Sequence, residues 1–504
     1  MTFTPTEEQD TALALFATGM HLAIEAGAGC GKSATLQLMG ESTDKRGQYC
    51  AFNKSIVEEA KAKLPSNVAC STVHSLAYRV KGAPMRHRLN APRVTSTRIA
   101  QILRIDPIFL QIQGTAKVLQ PAFLASLVMQ AISNFCNSAD KEPTGRHVPY
   151  IDGIDAMGAE GRRRWENNNA VSDTLAPFIR AAWADLQNAD GKLRYSHDCY
   201  VKAWELDAPK INADFILMDE AQDSSPVFES IFIQQDQAQL VVVGDANQAI
   251  YQWRGAVDAL SNFKERGNGY AQLSQSFRFG PVIADVANLL LAELDADLRL
   301  TGTAAIASEI GAVGDDADAI LTRTNAEAVT TLLSLKERGR KVCILGGGNE
   351  MTAFARAAQD LQAGRATSYG ELACFNSWDE VRAYVDEDPS GTELKLSVSL
   401  VERFGAETII DALAYMPKEE AGVTVVSTSH KAKGREWGRV RLAADFNKKP
   451  NKDGEKPAPS PDDLRLLYVA ATRAQLRLDV SACEPVSDLM EQPVLATTTQ
   501  GDGA

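Results

Sequence analysis

Short apolar runs, each ending in charged or small residues and followed by a stretch of helical period, set the rhythm of this chain. In the first half they fall at residues 21–25, 49–52, 215–218 and 240–243, and in the second at 320–322, 342–345, 423–427 and 476–480. Runs this short, rich in β-forming residues and alternating with helical patterns, predict strands of parallel sheets built from βα units. The two clusters predict two α/β domains. Residues 34–39, just after the first run, read as a helix. A long helical stretch, punctuated by proline and asparagine at 143–149 and 167–169, interrupts the first cluster, and a shorter one interrupts the second. The expected layout is a first domain in two parts, 1–84 and 206–276, around a mainly helical insertion at 85–205. A second domain follows at 277–485 with a reduced insertion at about 349–418, and 486–504 is expected to be a flexible tail. The charged, proline-bearing segment 448–457 has no apolar anchor and reads as a mobile loop.

Size and charge narrow the class. A chain of 504 residues exceeds one ordinary core and fits roughly three or four units of about 100–200 residues. No apolar run approaches the roughly 20 residues that span a bilayer, so no membrane partner is expected. The start, Met1 to Glu8, has neither a basic flank nor an apolar core, and the expected location is cytoplasmic. The 8 cysteines form no metal-ligand spacing and read as free thiols. A net charge of −13 argues against a surface that coats nucleic acid, but leaves room for a local basic groove. Arg79, Lys81, Arg86, Arg88, Arg93, Arg98 and Arg104 follow one another with no acid among them. By itself this run is either a solvated basic face or a polyanion contact.

The candidate chemistry begins at Ala26-Gly27-Ala28-Gly29-Cys30-Gly31-Lys32-Ser33, a glycine-rich turn between a strand and a helix. Backbone N–H groups in such a turn, aided by the helix N-terminus, cradle phosphates. Lys32 would reach the β- and γ-phosphates and Ser33 would hold Mg²⁺. Cys30, in the cradle at a helix N-terminus, is expected to be a reactive thiol that nucleotide protects. Asp219 and Glu220 end a buried run, where ligands bind in open α/β sheets. Asp219 suits the Mg²⁺ shell, and Glu220 suits a general base on the attacking water. The run ending at Gly244-Asp245 leads into Gln248, Tyr251, Trp253 and Arg254. Gln248 could sense the γ-phosphate and Trp253 could stack on a base, or the rings could belong to the core.

These motifs occur together and in order, and with them the chain resembles superfamily 1 helicases of the UvrD/Rep type. Gln9 in Thr4-Pro5-Thr6-Glu7-Glu8-Gln9, the phosphate loop, Thr72-Val73-His74-Ser75, Asp219 to Asp223 and Gly244-Asp245 through Trp253 carry the likeness in the first half. Gln275-Ser276-Phe277-Arg278, Ser429-His430-Lys431 through Glu436-Trp437, and Leu467-Tyr468 through Arg473-Ala474 carry it in the second. Phe52-Asn53-Lys54-Ser55 and Ser276 to Gly280 are especially similar to the helicase core of the F-box DNA helicases, although no F-box is expected here.

The resemblance implies an α/β fold of two RecA-like parallel-sheet domains with ATP and Mg²⁺ between them. It implies that Gln9 recognises adenine, Phe277 stacks on it, Glu436 contacts the ribose, and Arg278 and Arg473 act as arginine fingers. It also implies a single-strand DNA track using Phe52, Asn53, Thr72, His74, Tyr251, Trp253 and His430, though both histidines could instead be structural. The implied partners are single-stranded DNA and single/double-strand junctions, with 3′-to-5′ polarity. After this likeness the basic run from Arg79 reads as a guide for DNA. Two departures stand out. Only about 150 residues separate the Arg278 and Lys431 motifs, and residues 482–487 run into a short tail where relatives carry a strand-splitting hairpin.

Overall fold

A computed structural model describes residues 4–51, 54–92, 94–112, 115–151, 154, 166–251, 259–266, 269–367, 369, 372, 375, 377–387, 392–450 and 454–491. The chain divides into two compact units, one of Met1–Glu25 with Lys32–Gln272 and one of Ala26–Gly31 with Leu273–Ala504.

The first unit is built on strands β1 (Leu22–Ala26), β2 (Gly47–Ala51), β3 (Val68–Thr72), β4 (Ile108–Ile112), β5 (Thr115–Leu119), β6 (Phe215–Met218), β7 (Gln239–Gly244) and β8 (Gly269–Leu273). Six of them form one sheet in the order β3-β2-β6-β7-β1-β8. The pairings from β3 through to β1 are all parallel. β6 is buried at all four positions, which is why it reads as an unbroken apolar run and not as an alternating one.

The insertion is mainly helical, with Pro121–Asn137, Glu166–Gln187 and His197–Leu206 as its long helices. It also holds the antiparallel hairpin β4–β5, which the apolar runs did not signal. Here the expected basic guide needs correction. Arg88 is only 4% exposed. Its guanidinium donates to the carbonyls of Asp185, Leu186, Asn188 and Leu193 and pairs with the Asp185 carboxylate at 3.3 Å. It closes the C-terminal end of the helix Glu166–Gln187, where carbonyls lack helical partners. Lys81 is paired with Asp207, and Arg93 lies outside the described residues.

The second unit contains β9 (Gln275–Ser276), β10 (Thr301–Gly302), β11 (Glu309–Ile310), β12 (Ala319–Thr322), β13 (Val342–Ile344), β14 (Thr424–Thr428), β15 (Trp437–Leu442) and β16 (Ala474–Asp479). Its main sheet runs β11-β16-β15-β12-β14-β13, and every pairing in it is parallel. The helices Asn349–Gln362, Trp378–Glu387, Thr392–Phe404 and Ala406–Ala414 make up the smaller insertion. After β16 the chain forms the helix Glu484–Glu491. Among the described residues no helix is long and apolar enough to cross a membrane.

Candidate nucleotide and nucleic-acid site

In the first unit the chemistry gathers at the ends of β2, β6 and β7. Asp219 follows β6 and is buried, 6% exposed. Its Oδ2 accepts a hydrogen bond from the Tyr49 hydroxyl at 2.7 Å, and its Oδ1 accepts from the Glu220 N–H at 2.9 Å. Burial, and then the neighbouring Glu220 carboxylate, push its pKa up to about 6 against the pull of Tyr49 and Lys32. Burial, and then the Asp219 carboxylate, raise the Tyr49 hydroxyl well above the usual phenol range. Hard oxygen donors at a site short of positive charge suit Mg²⁺, and Ser33, at the start of the helix Lys32–Glu41, offers an exposed hydroxyl of the same kind.

Glu220 has φ 52 and ψ 43, the left-handed region that a non-glycine residue rarely adopts. Its Oε2 accepts from the Gln222 amide at 2.6 Å, and Gln222 in turn accepts from the Asp245 N–H at 3.1 Å. Asp245 Oδ2 accepts from the Gln248 amide at 2.7 Å. One chain of hydrogen bonds therefore ties the two motif segments together. Gly244 is required beside it, because a Cβ there would lie 2.3 Å from Gln222 Oε1.

The remaining predicted residues of this unit take local roles. Gln9 is 1% exposed; its amide donates to Thr35 Oγ1 at 3.0 Å, and its carbonyl oxygen accepts from Thr6 N in a capping box. Thr72 ends β3 and its hydroxyl caps the helix Val73–Ala77. His74 on that turn lies 3.4 Å from the Asp198 carboxylate, edge-on to Phe228 and Tyr200. Tyr251 is half-buried. Phe52, Asn53, Trp253 and Arg254 lie outside the described residues.

In the second unit the loop Ala26–Gly31 packs with the segment from β9 to Arg278. Ala26 is the last residue of β1, so the position where the usual pattern has glycine is a strand residue with no need of positive φ. Gly29 and Gly31 do need it, both at φ 75. A Cβ on Gly29 would also lie 2.7 Å from both Arg278 Cβ and Ser276 Oγ. Ser276 Oγ donates to the Ala28 carbonyl at 2.8 Å, and the Ala28 N–H donates to the Tyr468 hydroxyl at 3.3 Å. Gly27 is closely surrounded as well, with Leu300 as its nearest neighbour. Cys30 corrects the expectation of a reactive thiol: it is 3% exposed and its Sγ faces the Ala28 carbonyl.

Phe277, expected to stack on adenine, is 41% exposed. Arg278 pairs with Glu436 at 2.6 Å and donates to the Thr472 carbonyl, while Glu436 also accepts from Gln475. Arg473 is 1% exposed and donates to the Val469 carbonyl, the Arg435 carbonyl and the Thr472 hydroxyl. His430 stands on a Thr-capped turn after β14, as His74 does after β3. Tyr49, Gln222, Ser276 and Tyr468 are the residues that sequence reasoning left without individual roles. Tyr49 had a signal only as a polar atom on an otherwise apolar run.

A family model described as the UvrD/REP helicase N-terminal domain matches residues 50–267, and one for the UvrD-like helicase C-terminal domain matches residues 410–485. F-box DNA helicase protein 1 of Schizosaccharomyces pombe is 28% identical over 91% of this chain and 55% of its own length. F-box DNA helicase 1 of Gallus gallus is 27% identical over 91% of this chain and 47% of its own. ATP-dependent DNA helicase UvrD2 of Mycobacterium tuberculosis is 28% identical over 53% of this chain and 47% of its own. The chain thus spans about half the length of the curated relatives it matches. With N- and C-terminal family domains both present and in order, the chain belongs to the UvrD-type superfamily 1 helicases.

Proposed function

We propose that this protein is an ATP-dependent DNA helicase that moves along single-stranded DNA, with 3′-to-5′ polarity. The observation that carries the reading is the Asp219–Glu220 pair at the end of β6, with Glu220 held in a left-handed conformation by the Gln222–Asp245–Gln248 chain. Lys32 neutralises charge on the β- and γ-phosphates, and Ser33 and Asp219 hold Mg²⁺, which supplies charge neutralisation on the phosphates when bound. Glu220 takes the proton of the attacking water, and its imposed geometry limits where that water can sit. Gln248 reports the γ-phosphate state to the segment that carries Tyr251 and Trp253. Phe277 and Gln9 recognise adenine, Glu436 meets the ribose, and Arg278 and Arg473 stabilise the charge that develops in transfer. The strand track comprises Phe52, Asn53, Thr72, His74, Tyr251, Trp253 and His430.

The test is ATP turnover with and without single-stranded DNA in wild type and Lys32→Ala, followed by unwinding of duplexes bearing a 3′ or a 5′ tail. DNA-stimulated turnover that Lys32→Ala abolishes supports the reading, and wild type with no stimulation refutes it. A second reading, a translocase that strips proteins from DNA without efficient unwinding, is favoured by the helix Glu484–Glu491 after β16. It predicts clearance of a protein-coated strand together with poor separation of a tailed duplex.

A further inference from the structure

Among the described residues of the insertion, the hairpin β4–β5 is the one place where the two faces of a sheet can be compared directly. Its register pairs Ile108 with Leu119 and Phe109 with Val118. Leu110 and Leu119 sink into the core of the first unit. The opposite face carries Phe109, 74% exposed, against Val118, 39% exposed. An antiparallel pair with one wet face ordinarily turns polar side chains to water, so an aromatic and a β-branched residue paired there are out of pattern.

The surroundings say what kind of partner fits. Between residues 79 and 119 the sequence has eight lysines and arginines and a single acid, Asp106, in a chain whose net charge is −13. Arg98 and Arg104 are exposed and form no ion pair among the described residues. Arg104 ends the helix Ser96–Leu103 in a left-handed conformation at φ 57, and the five residues to Phe109 can span no more than about 17 Å. An exposed flat ring a few residues along the chain from a guanidinium without a carboxylate partner matches an unpaired base and its phosphates, whereas an apolar protein partner would leave the charges unused.

We propose that the β4–β5 hairpin is a nucleic-acid contact at the single/double-strand junction, with Phe109 stacking on an unpaired base and Arg98 and Arg104 taking the adjoining phosphates. This rests on the DNA helicase reading. The test uses the full chain as wild type, Phe109→Ala, Phe109→Tyr and Arg104→Glu, with a fluorescent tailed duplex and an oligothymidylate. Phe109→Ala should lower duplex separated per ATP consumed by about fivefold or more, and Phe109→Tyr should restore most of it. Arg104→Glu should weaken tailed-duplex binding, and more so at low salt. Unwinding per ATP equal to wild type in Phe109→Ala overturns the proposal. Should that variant fail to fold, or wild type fail to unwind, a photo-crosslinking benzoylphenylalanine in place of Phe109 decides instead. Its covalent capture of the labelled tailed duplex supports the contact, and no capture overturns it. Absence of DNA-stimulated turnover in wild type would refute the helicase reading separately.

Discussion

Two buried carboxylates, one in each unit, are treated in opposite ways. Asp463 begins the helix Pro461–Ala471 and, although burial raises its pKa, Lys448, Ser460 and Arg323 together hold it well below the usual carboxylate range. Lys448 Nζ lies at 2.6 Å, Ser460 Oγ at 2.7 Å and Arg323 Nε at 3.0 Å. Asp219 is equally buried, yet it accepts from a phenol and a backbone N–H, and its pKa is pushed up to about 6. Charge that the fold needs for its own stability is compensated on the spot. Charge kept short of compensation marks a place where a cation is expected from outside.

The largest effect should come from Asp219→Asn. DNA-stimulated ATP turnover should fall at least about a hundredfold in a steady-state assay, because the charge proposed to hold Mg²⁺ is gone. The same substitution should stabilise the ligand-free protein at pH 7. Because the native carboxyl binds its proton more tightly than the unfolded one, stability falls as pH rises from the ordinary carboxylate value to about 6. Removing that burden should gain about 2–3 kcal/mol, read from urea melts without Mg²⁺ or nucleotide. A destabilised Asp219→Asn would break the comparison.

Arg88→Ala tests a compensated charge in the first unit. Losing a guanidinium that satisfies four carbonyls should cost about 3 kcal/mol of stability, while DNA affinity per folded molecule stays near wild type. A specific loss of DNA binding without destabilisation would return Arg88 to the basic guide. Asp463→Asn should cost about 2 kcal/mol at pH 7. Here the folded pKa is depressed, so the stabilisation is present above the ordinary carboxylate value and is lost as pH falls below it. Thermal melts of wild type and variant should therefore begin to converge only below about pH 4, and should still differ at pH 3. The smallest effect is expected of Tyr49→Phe, which should raise the Mg²⁺ concentration needed for half-maximal turnover about tenfold. Nucleotide fluorescence titrated with Mg²⁺ should shift in parallel, and an unchanged Mg²⁺ requirement would remove Tyr49 from the metal site.

Most of the scaffold was legible because parallel strands buried on both faces leave an unmistakable apolar signature. β6 and β7 sit where Phe215 to Met218 and Leu240 to Val243 predict them. β3, with Ala69, Cys70 and Ser71, and β15, with Arg439 and Arg441, escaped because their sequences are half polar. The hairpin β4–β5 escaped because it lies in a stretch of mainly helical period.

By itself the sequence determined the order of the elements, the turn that needs Gly29 and Gly31, and the presence of carboxylates at a strand end. Each of these depends on neighbours in the chain, through backbone sterics and burial period. Only the tertiary structure decided that Arg88 seals a helix, that Cys30 turns inward, that Tyr49 reaches Asp219 and that Phe109 faces water. Those outcomes depend on partners as distant as the 170 positions between Tyr49 and Asp219. The type of a side chain says what it can bond to, and packing alone says which partner comes within reach.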